Sequence, residues 1–241
     1  MKKRIDILIT KRGLVESRAK AQAFLLAGQV EVEGQVVDKA GMLIDESANI
    51  KIKERFPYVS RGALKIQKAY EDFGLDFKDK VICDIGSSTG GFTDFSLKNR
   101  ARKVYAIDVG YGQLDQKLRE DSRVVVMEKT NFRDIAELPE TIDYFVCDVS
   151  FISLKKIIPK IKEIADYPVQ AILLIKPQFE VGKEIANKCK GVVKDEGIQK
   201  GVVEDIANFA EESGFKVRGL AESPITGAKG NKEFLIWLSL T

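Results

Sequence analysis

The stretch Val81-Ile82-Cys83-Asp84-Ile85-Gly86-Ser87-Ser88-Thr89-Gly90-Gly91-Phe92-Thr93-Asp94 decides the fold. An apolar run reaches Asp84, gives way to small residues, and resumes as a helical pattern. Glycines there let the backbone approach a ligand closely and take positive φ where a side chain would clash. Strand, glycine turn and helix together build a pocket above the strand ends of an open parallel sheet. The spacing is not G-x-G-x-x-G, and the loop has no phosphate-cradling lysine. A dinucleotide or nucleoside triphosphate is therefore disfavoured. A cofactor with an adenosine and no pyrophosphate fits better, and S-adenosylmethionine is the commonest of that description. Asp84, Gly86, Ser87, Ser88, Thr89, Gly90, Gly91 and Phe92 are the candidate residues around it.

The next apolar run, Lys103-Val104-Tyr105-Ala106-Ile107-Asp108, supports this reading. It ends in an acid about twenty residues further on, the position from which a carboxylate accepts hydrogen bonds from adenosine ribose hydroxyls. Apolar strands are expected at 81–85, 103–108, 123–128, 143–148 and 170–175, alternating with helices near 61–73, 90–99, 113–120, 154–165 and 196–213. That alternation predicts an α/β, doubly wound, mostly parallel sheet covered on both faces. The end differs. Runs 215–220 and 233–238 have no helix between them and must pair as a hairpin-like finish, which makes the last strand antiparallel.

Residues 1–57 read as a separate small α+β domain, joined through a linker at 58–61 to a domain spanning 62–241. A short helix from Arg4 ends at Gly13, and Ser17 caps a second helix that runs through Leu26 to Gly28. Short strands follow around Val30–Val37 and Ile50–Ile52, and Phe56-Pro57 marks a break. The net charge of +3 is unevenly placed. Residues 1–60 hold 11 basic and 8 acidic side chains, whereas the remaining residues hold 28 of each. The excess sits at the N-terminus, where it can meet phosphates.

Composition narrows the chemistry. The chain has no histidine, which removes the usual proton-transfer group and the commonest transition-metal ligand. Acid–base work must fall to Lys, Asp, Glu, Tyr or Cys, and no metal site is expected. Cys83, Cys147 and Cys189 form no C-x-x-C pair, so a reducing, cytoplasmic location is expected. The basic start lacks the apolar core of a signal peptide, and no apolar run approaches bilayer length, so no membrane association is expected.

Several spaced segments together resemble a known family. Arg4-Ile5-Asp6, Ser17-Arg18 and Gly28-Gln29-Val30-Glu31-Val32-Glu33-Gly34 resemble an S4 RNA-binding domain. Residues 60–241 resemble the FtsJ-like 2′-O-ribose methyltransferases, through Val59-Ser60-Arg61-Gly62-Ala63-Leu64-Lys65, Ser88–Asp94, Asp108-Val109-Gly110-Tyr111-Gly112-Gln113-Leu114, Cys147-Asp148-Val149-Ser150-Phe151-Ile152-Ser153-Leu154, Lys176-Pro177-Gln178-Phe179-Glu180 and Gly230-Asn231-Lys232-Glu233-Phe234. Over nearly the whole chain the two together resemble the TlyA (hemolysin A) family.

The resemblance implies a Rossmann-like S-adenosylmethionine methyltransferase acting on the 2′-hydroxyl of a cytidine in ribosomal RNA, with ribosomal RNA or ribosomal subunits as partners. It implies a catalytic tetrad of Lys65, Asp148, Lys176 and Glu233, with Asp148 also facing the methionine end of the cofactor. Asn131 stands where this fold contacts adenine, and Phe92 and Phe132 are candidates to flank the ring. Asp148 and Lys176 close predicted strands, where open α/β sheets place their sites. A ribose hydroxyl is a weak nucleophile, and without histidine a neutral lysine is the available base. Lys176 is assigned as base or orienting cation and Lys65 as its electrostatic helper, since a neighbouring ammonium lowers a lysine pKa. Lys3, Arg4, Lys11, Arg12, Arg18 and Lys20 are candidate phosphate contacts on the two N-terminal helices.

One segment departs from the family. Gly191–Gln199 carries Lys194, Glu196 and Gln199 where the family commonly has Arg, Pro and His. Two other readings are an RNA-binding protein that keeps the fold without catalysis and a membrane-lytic hemolysin. The intact tetrad counts against the first, and the lack of a spanning or strongly amphipathic apolar segment against the second.

Overall fold

The computed structural model describes residues 2–26, 28–52 and 56–241. The chain divides into two compact units, Met1–Pro57 and Tyr58–Thr241.

The first unit holds β1 (Lys2–Arg4), α1 (Ile5–Lys11), α2 (Arg18–Leu26), β2 (Val30–Val32), β3 (Gln35–Val36), β4 (Leu43–Asp45) and β5 (Ile50–Ile52). Its helices share a small core of Ile5, Leu8, Ile9, Ala21 and Leu25, closed from the strand side by Val30, Ile44 and Ile50. Ser17 accepts from Lys20 N at 3.2 Å, the cap expected for α2. The helix expected from Arg4 begins one residue later. Lys2–Arg4 are a strand, paired antiparallel with Leu43–Asp45. Three residues carry too little periodicity to reveal a partner some forty positions away.

The second unit continues with α3 (Ala63–Phe73), β6 (Val81–Ile85), α4 (Gly91–Lys98), β7 (Lys103–Ile107), α5 (Gln116–Arg119), β8 (Val124–Met127), β9 (Tyr144–Cys147), α6 (Ile158–Ile164), β10 (Val169–Ile175), α7 (Pro177–Glu180), α8 (Lys183–Lys188), α9 (Glu196–Glu212), β11 (Lys216–Glu222) and β12 (Phe234–Leu240). The seven strands lie in the order β11-β12-β10-β9-β6-β7-β8. The pairs β10–β9, β9–β6, β6–β7 and β7–β8 are parallel, while β12 runs antiparallel to both β10 and β11. The expected hairpin finish is therefore present, with its second strand inserted against β10. The short helices α7 and α8 have no counterpart in the sequence reading. α7 begins at Pro177, whose ring presets the first helical position directly after the strand pattern ends.

Two hydrophobic layers cover the sheet. Cys83, Ile85, Phe145 and Cys147 face one layer with α6 and α9, while Ile82, Val104 and Val146 face the other with α3 and α4. The buried Cys83 and Cys147 thus act as small core residues. Residues 58–61, expected as a linker, lie within the second unit: the Tyr58 ring packs 5.7 Å from that of Phe95, and Val59 N donates to Asp94. Among the described residues, no helix is long and apolar enough to cross a membrane.

Candidate active site

The order of strands reverses at β6, and parallel sheets open their ligand crevice above such a point. There β6 delivers Asp84, which is 1 % exposed. Its Oδ2 accepts from Thr93 Oγ1 at 2.6 Å, and its Oδ1 is buried with no partner among the described residues. Burial pushes this carboxyl up to about 7. The chain then turns at Gly86 (φ +80°), where a Cβ would lie 3.0 Å from the Asp148 carbonyl oxygen. Only a glycine allows the ends of β6 and β9 to come this close. Gly90 (φ +93°) closes the turn, and a Cβ there would overlap Leu118 Cδ1 at 2.2 Å.

Asp108 binds this turn to the next loop, accepting from Ser88 N at 2.8 Å and Gly110 N at 2.7 Å. Two carboxylate oxygens have about four acceptor positions, so room remains for ribose hydroxyls. Asn131 caps a short turn, its Oδ1 accepting from Arg133 N at 3.2 Å. Phe92 and Phe132 are both buried, at 3 % exposure, and line the crevice from the core side.

Two adjoining cavities of about 450 and 540 Å³ occupy this edge. They share Gly86, Ser88, Asp148, Ser150 and Phe151 as a common wall. Asp108, Asn131 and Phe132 belong to the second cavity, while Asp84, Ser87, Thr89, Gly91 and Phe92 belong to the first. Gly90 lines neither, being spent on the turn. The combined space suits a ligand of drug-like size with room for a second group beside it.

Lys65, Asp148, Lys176 and Glu233 come from four separate elements and meet in the first cavity. Lys65 Nζ lies 3.0 Å from Asp148 Oδ2 and 2.8 Å from Glu233 Oε2. The second contact is an ion pair without hydrogen-bond alignment. Lys176 Nζ lies 2.6 Å from Asp148 Oδ1 and donates to Ser150 Oγ at 3.0 Å. Burial would lower the Lys65 pKa, but the charges of Asp148 and Glu233 outweigh it and hold the ammonium above its ordinary value. Burial likewise works against the Asp148 carboxylate, and the two lysines reverse it, so its pKa falls below the usual range. Asp148 thus stands between the two lysines, one carboxylate oxygen toward each. Ser150 was missed in the sequence; its only signal there is a hydroxyl two residues beyond Asp148 at the same strand end.

Residues 58–240 match the FtsJ-like methyltransferase family, and residues 3–50 match the S4 domain. The chain belongs to the FtsJ-like methyltransferase family. The chain is 39% identical to the 16S/23S rRNA (cytidine-2′-O)-methyltransferase TlyA of Mycobacterium tuberculosis, over 98% of this chain and 89% of that protein. It is 42% identical to Hemolysin A of Brachyspira hyodysenteriae, over 96% of this chain and 98% of the relative. Among solved structures, a magnesium protoporphyrin IX methyltransferase of Synechocystis, with S-adenosylmethionine bound, superposes at a TM-score of 0.53 with 15% identity. That alignment covers 75% of this chain and 80% of the other, and shows the shared fold.

The methyl donor of this methyltransferase is S-adenosylmethionine, and the crevice fits it. The unpartnered Asp84 oxygen asks for a donor or cation, as the cofactor's α-ammonium provides, and bare backbone at Gly86 allows close approach. Asp108 lines the second cavity just beyond the end of the neighbouring strand β7. Among the described residues, no group of His, Cys, Asp and Glu forms a metal-binding cluster.

The departing segment 191–199 serves as scaffold. Gln199, 4 % exposed, donates to Val193 O at 2.8 Å, and Val193 N donates to Asn231 Oδ1 at 3.0 Å. Asn231 Nδ2 in turn donates to Gly191 O at 3.0 Å. The loop is thus tied two residues upstream of Glu233, while Lys194 and Glu196 are exposed.

In the first unit, the six basic candidates are less free than their sequence suggests. Lys3 and Arg4 lie on β1 rather than on a helix, because their backbone is extended to pair with β4. Lys3 and Lys11 both pair with Glu46, and Arg12 donates to the carbonyls of Glu46 and Ala48. Lys20 pairs with Glu16 at 2.9 Å. Arg4 and Arg18 converge on Asp6 at 3.0 and 2.9 Å.

Proposed function

We propose that this methyltransferase moves a methyl group from S-adenosylmethionine to the ribose 2′-hydroxyl of a cytidine in ribosomal RNA, with ribosomal subunits as its working partner. The observation that carries the reading is the convergence of Lys65, Asp148, Lys176 and Glu233 beside the glycine-turn crevice. The name of the Mycobacterium tuberculosis relative, which matches over almost the full chain, supports cytidine and ribosomal RNA. An S4 domain supports an RNA substrate. A ribosomal substrate implies work in the cytoplasm, where ribosomes are assembled.

S-adenosylmethionine supplies a methyl group on a sulfonium, which the hydroxyl oxygen must approach from the side opposite the sulfur. Lys176 handles that hydroxyl. Its contacts to Asp148 and Ser150 hold the nitrogen in place, as the base that receives the hydroxyl proton while the oxygen–carbon bond forms and the carbon–sulfur bond breaks. Lys65, kept charged by Asp148 and Glu233, stabilises negative charge growing on the oxygen. Asp148 orients both lysines, and Glu233 fixes Lys65 from the far side.

Methyl-tritiated S-adenosylmethionine incubated with ribosomal subunits tests the reading. A 2′-O-methyl group removes the nucleophile for alkaline hydrolysis, so the label is expected in an alkali-stable dinucleotide that begins with cytidine. Label on a base, or intact cofactor binding with no transfer to RNA, overturns it.

A further inference from the structure

The helix of the S4 unit buries an acid that its core has no reason to hold. Asp6 has no solvent exposure, and buried carboxylates are rare unless paired. Its cover is made largely of the polar groups that bind it. Oδ1 accepts from Arg4 Nε at 3.1 Å and from Ile7 N at 2.9 Å. Oδ2 accepts from Arg4 Nη2 at 3.0 Å, Arg18 Nε at 2.9 Å and Gln22 Nε2 at 3.0 Å. Arg4 reaches it from β1 and Arg18 from α2, so one carboxylate fixes cations from two elements. Both arginines stay open to solvent, with side chains 44% and 52% exposed. Arg18 bonds the carboxylate through Nε, so the contact does not use the two terminal nitrogens of its guanidinium.

We propose that Asp6 is a positioning residue for RNA binding: it holds Arg4 and Arg18 as a preorganised pair of guanidinium forks for adjacent phosphates of the RNA backbone. The inference rests on the reading that this unit binds the RNA substrate. A free arginine loses rotamer entropy on meeting a phosphate, and fixing the fork beforehand removes that loss. The planar fork then meets phosphate oxygens in pairs. Charge alone argues the opposite way, because Asp6 cancels one of the two positive charges beside it.

That conflict supplies the test, made on the full chain with purified bacterial ribosomal RNA at several salt concentrations. Asp6→Asn removes a negative charge, so charge bookkeeping predicts tighter binding. Positioning predicts binding weaker by about tenfold, with unchanged affinity for S-adenosylmethionine and unchanged kcat at saturating RNA. Arg18→Lys keeps the charge but has a single nitrogen, which Asp6 occupies. It is expected to weaken binding as much as Arg18→Gln, and each is expected to reduce the salt slope by roughly one phosphate contact. Tighter binding by a folded Asp6→Asn chain, or wild-type binding by Arg18→Lys, overturns the positioning role. Should Asp6→Asn lose the circular dichroism of the folded unit, Arg18→Lys decides alone. If Arg18→Gln leaves both affinity and salt slope unchanged, it is the reading of this surface as an RNA contact that fails.

Discussion

Ile175 and Phe234 are register partners across the antiparallel β10–β12 pair. Lys176 follows the first and Glu233 precedes the second, so both emerge at one sheet edge although 57 positions separate them in the chain. A parallel last strand would have carried Glu233 to the opposite edge, away from Lys65. The direction of one strand therefore assembles the site.

The most direct consequence concerns Lys176. Replacing it with Met keeps the stem and removes the nitrogen, while Asp148 remains paired with Lys65. Loss of a proton-transfer group costs on the order of 10²–10⁴-fold in rate. The Lys176→Met enzyme is expected to lose that much kcat, with its affinity for S-adenosylmethionine within about threefold of wild type. Single-turnover methylation together with calorimetric titration measures both, and full activity would remove Lys176 from its role.

A glycine sets the place of Glu233. A Cβ at position 227 would lie 2.0 Å from Glu233 Oε1 and 2.6 Å from its Cδ. The obstacle is a side chain rather than backbone, so Gly227→Ala is expected to displace the carboxylate while the fold survives. Loss of about 1 kcal/mol corresponds to roughly 2–4 °C in Tm for a domain of this size. Activity is expected to fall at least about tenfold, because Lys65 loses one of its two carboxylates. A thermal melt and a rate assay on the same preparation separate the two effects; a large Tm loss with full specific activity contradicts the assignment.

Asp108 accepts two backbone N–H groups and faces the second cavity. Asp108→Ala removes the acceptors for two ribose hydroxyls, each worth about 1.5 kcal/mol when the acceptor is charged. Together that is about a hundredfold loss of S-adenosylmethionine affinity. Calorimetric titration checks it, and an unchanged Kd would move the ribose elsewhere.

The two buried acids give opposite pH dependences. Asp84 has its pKa pushed up to about 7 by burial, against about 4 when unfolded. The folded chain keeps this proton over an interval in which the unfolded chain has released it. Its contribution to stability is therefore full below pH 4 and declines as pH rises toward 7. Asp84→Asn is expected to flatten that decline in denaturant melts taken from pH 4 to 8. Cofactor affinity runs the other way: a cationic ammonium favours the ionised carboxylate, so binding is expected to strengthen through pH 7 in the wild type and stay level in Asp84→Asn. Asp6 has the reverse sign, because hydrogen bonds from Arg4, Gln22 and Arg18 hold its carboxyl far below the usual range despite burial. Its stabilisation is present above pH 4 and lost as pH falls.

Much of this molecule is written in local patterns. Apolar runs closing on Asp84 and Asp108, glycines at 86 and 90, and helical periods between them predict a parallel sheet and its crevice, because strand and helix periodicity are properties of neighbouring residues. Charge compensation is different in kind. Lys65 is named in the sequence only through the family resemblance, and local pattern says nothing of the Asp148 and Glu233 carboxylates that the fold brings to within 3.0 Å of it. The six N-terminal cations read as one open basic face until Glu46, Glu16 and Asp6 are seen beside them. The pairing of Lys2–Arg4 with Leu43–Asp45 and the tie of the 191–199 loop to Asn231 were equally silent. The sequence by itself determined the seven strands of the large sheet and where the crevice opens, since both follow from short-range pattern and the geometry of a parallel sheet. Only the tertiary structure decided which charges neutralise one another, because ion pairing depends on distances between segments far apart in the chain.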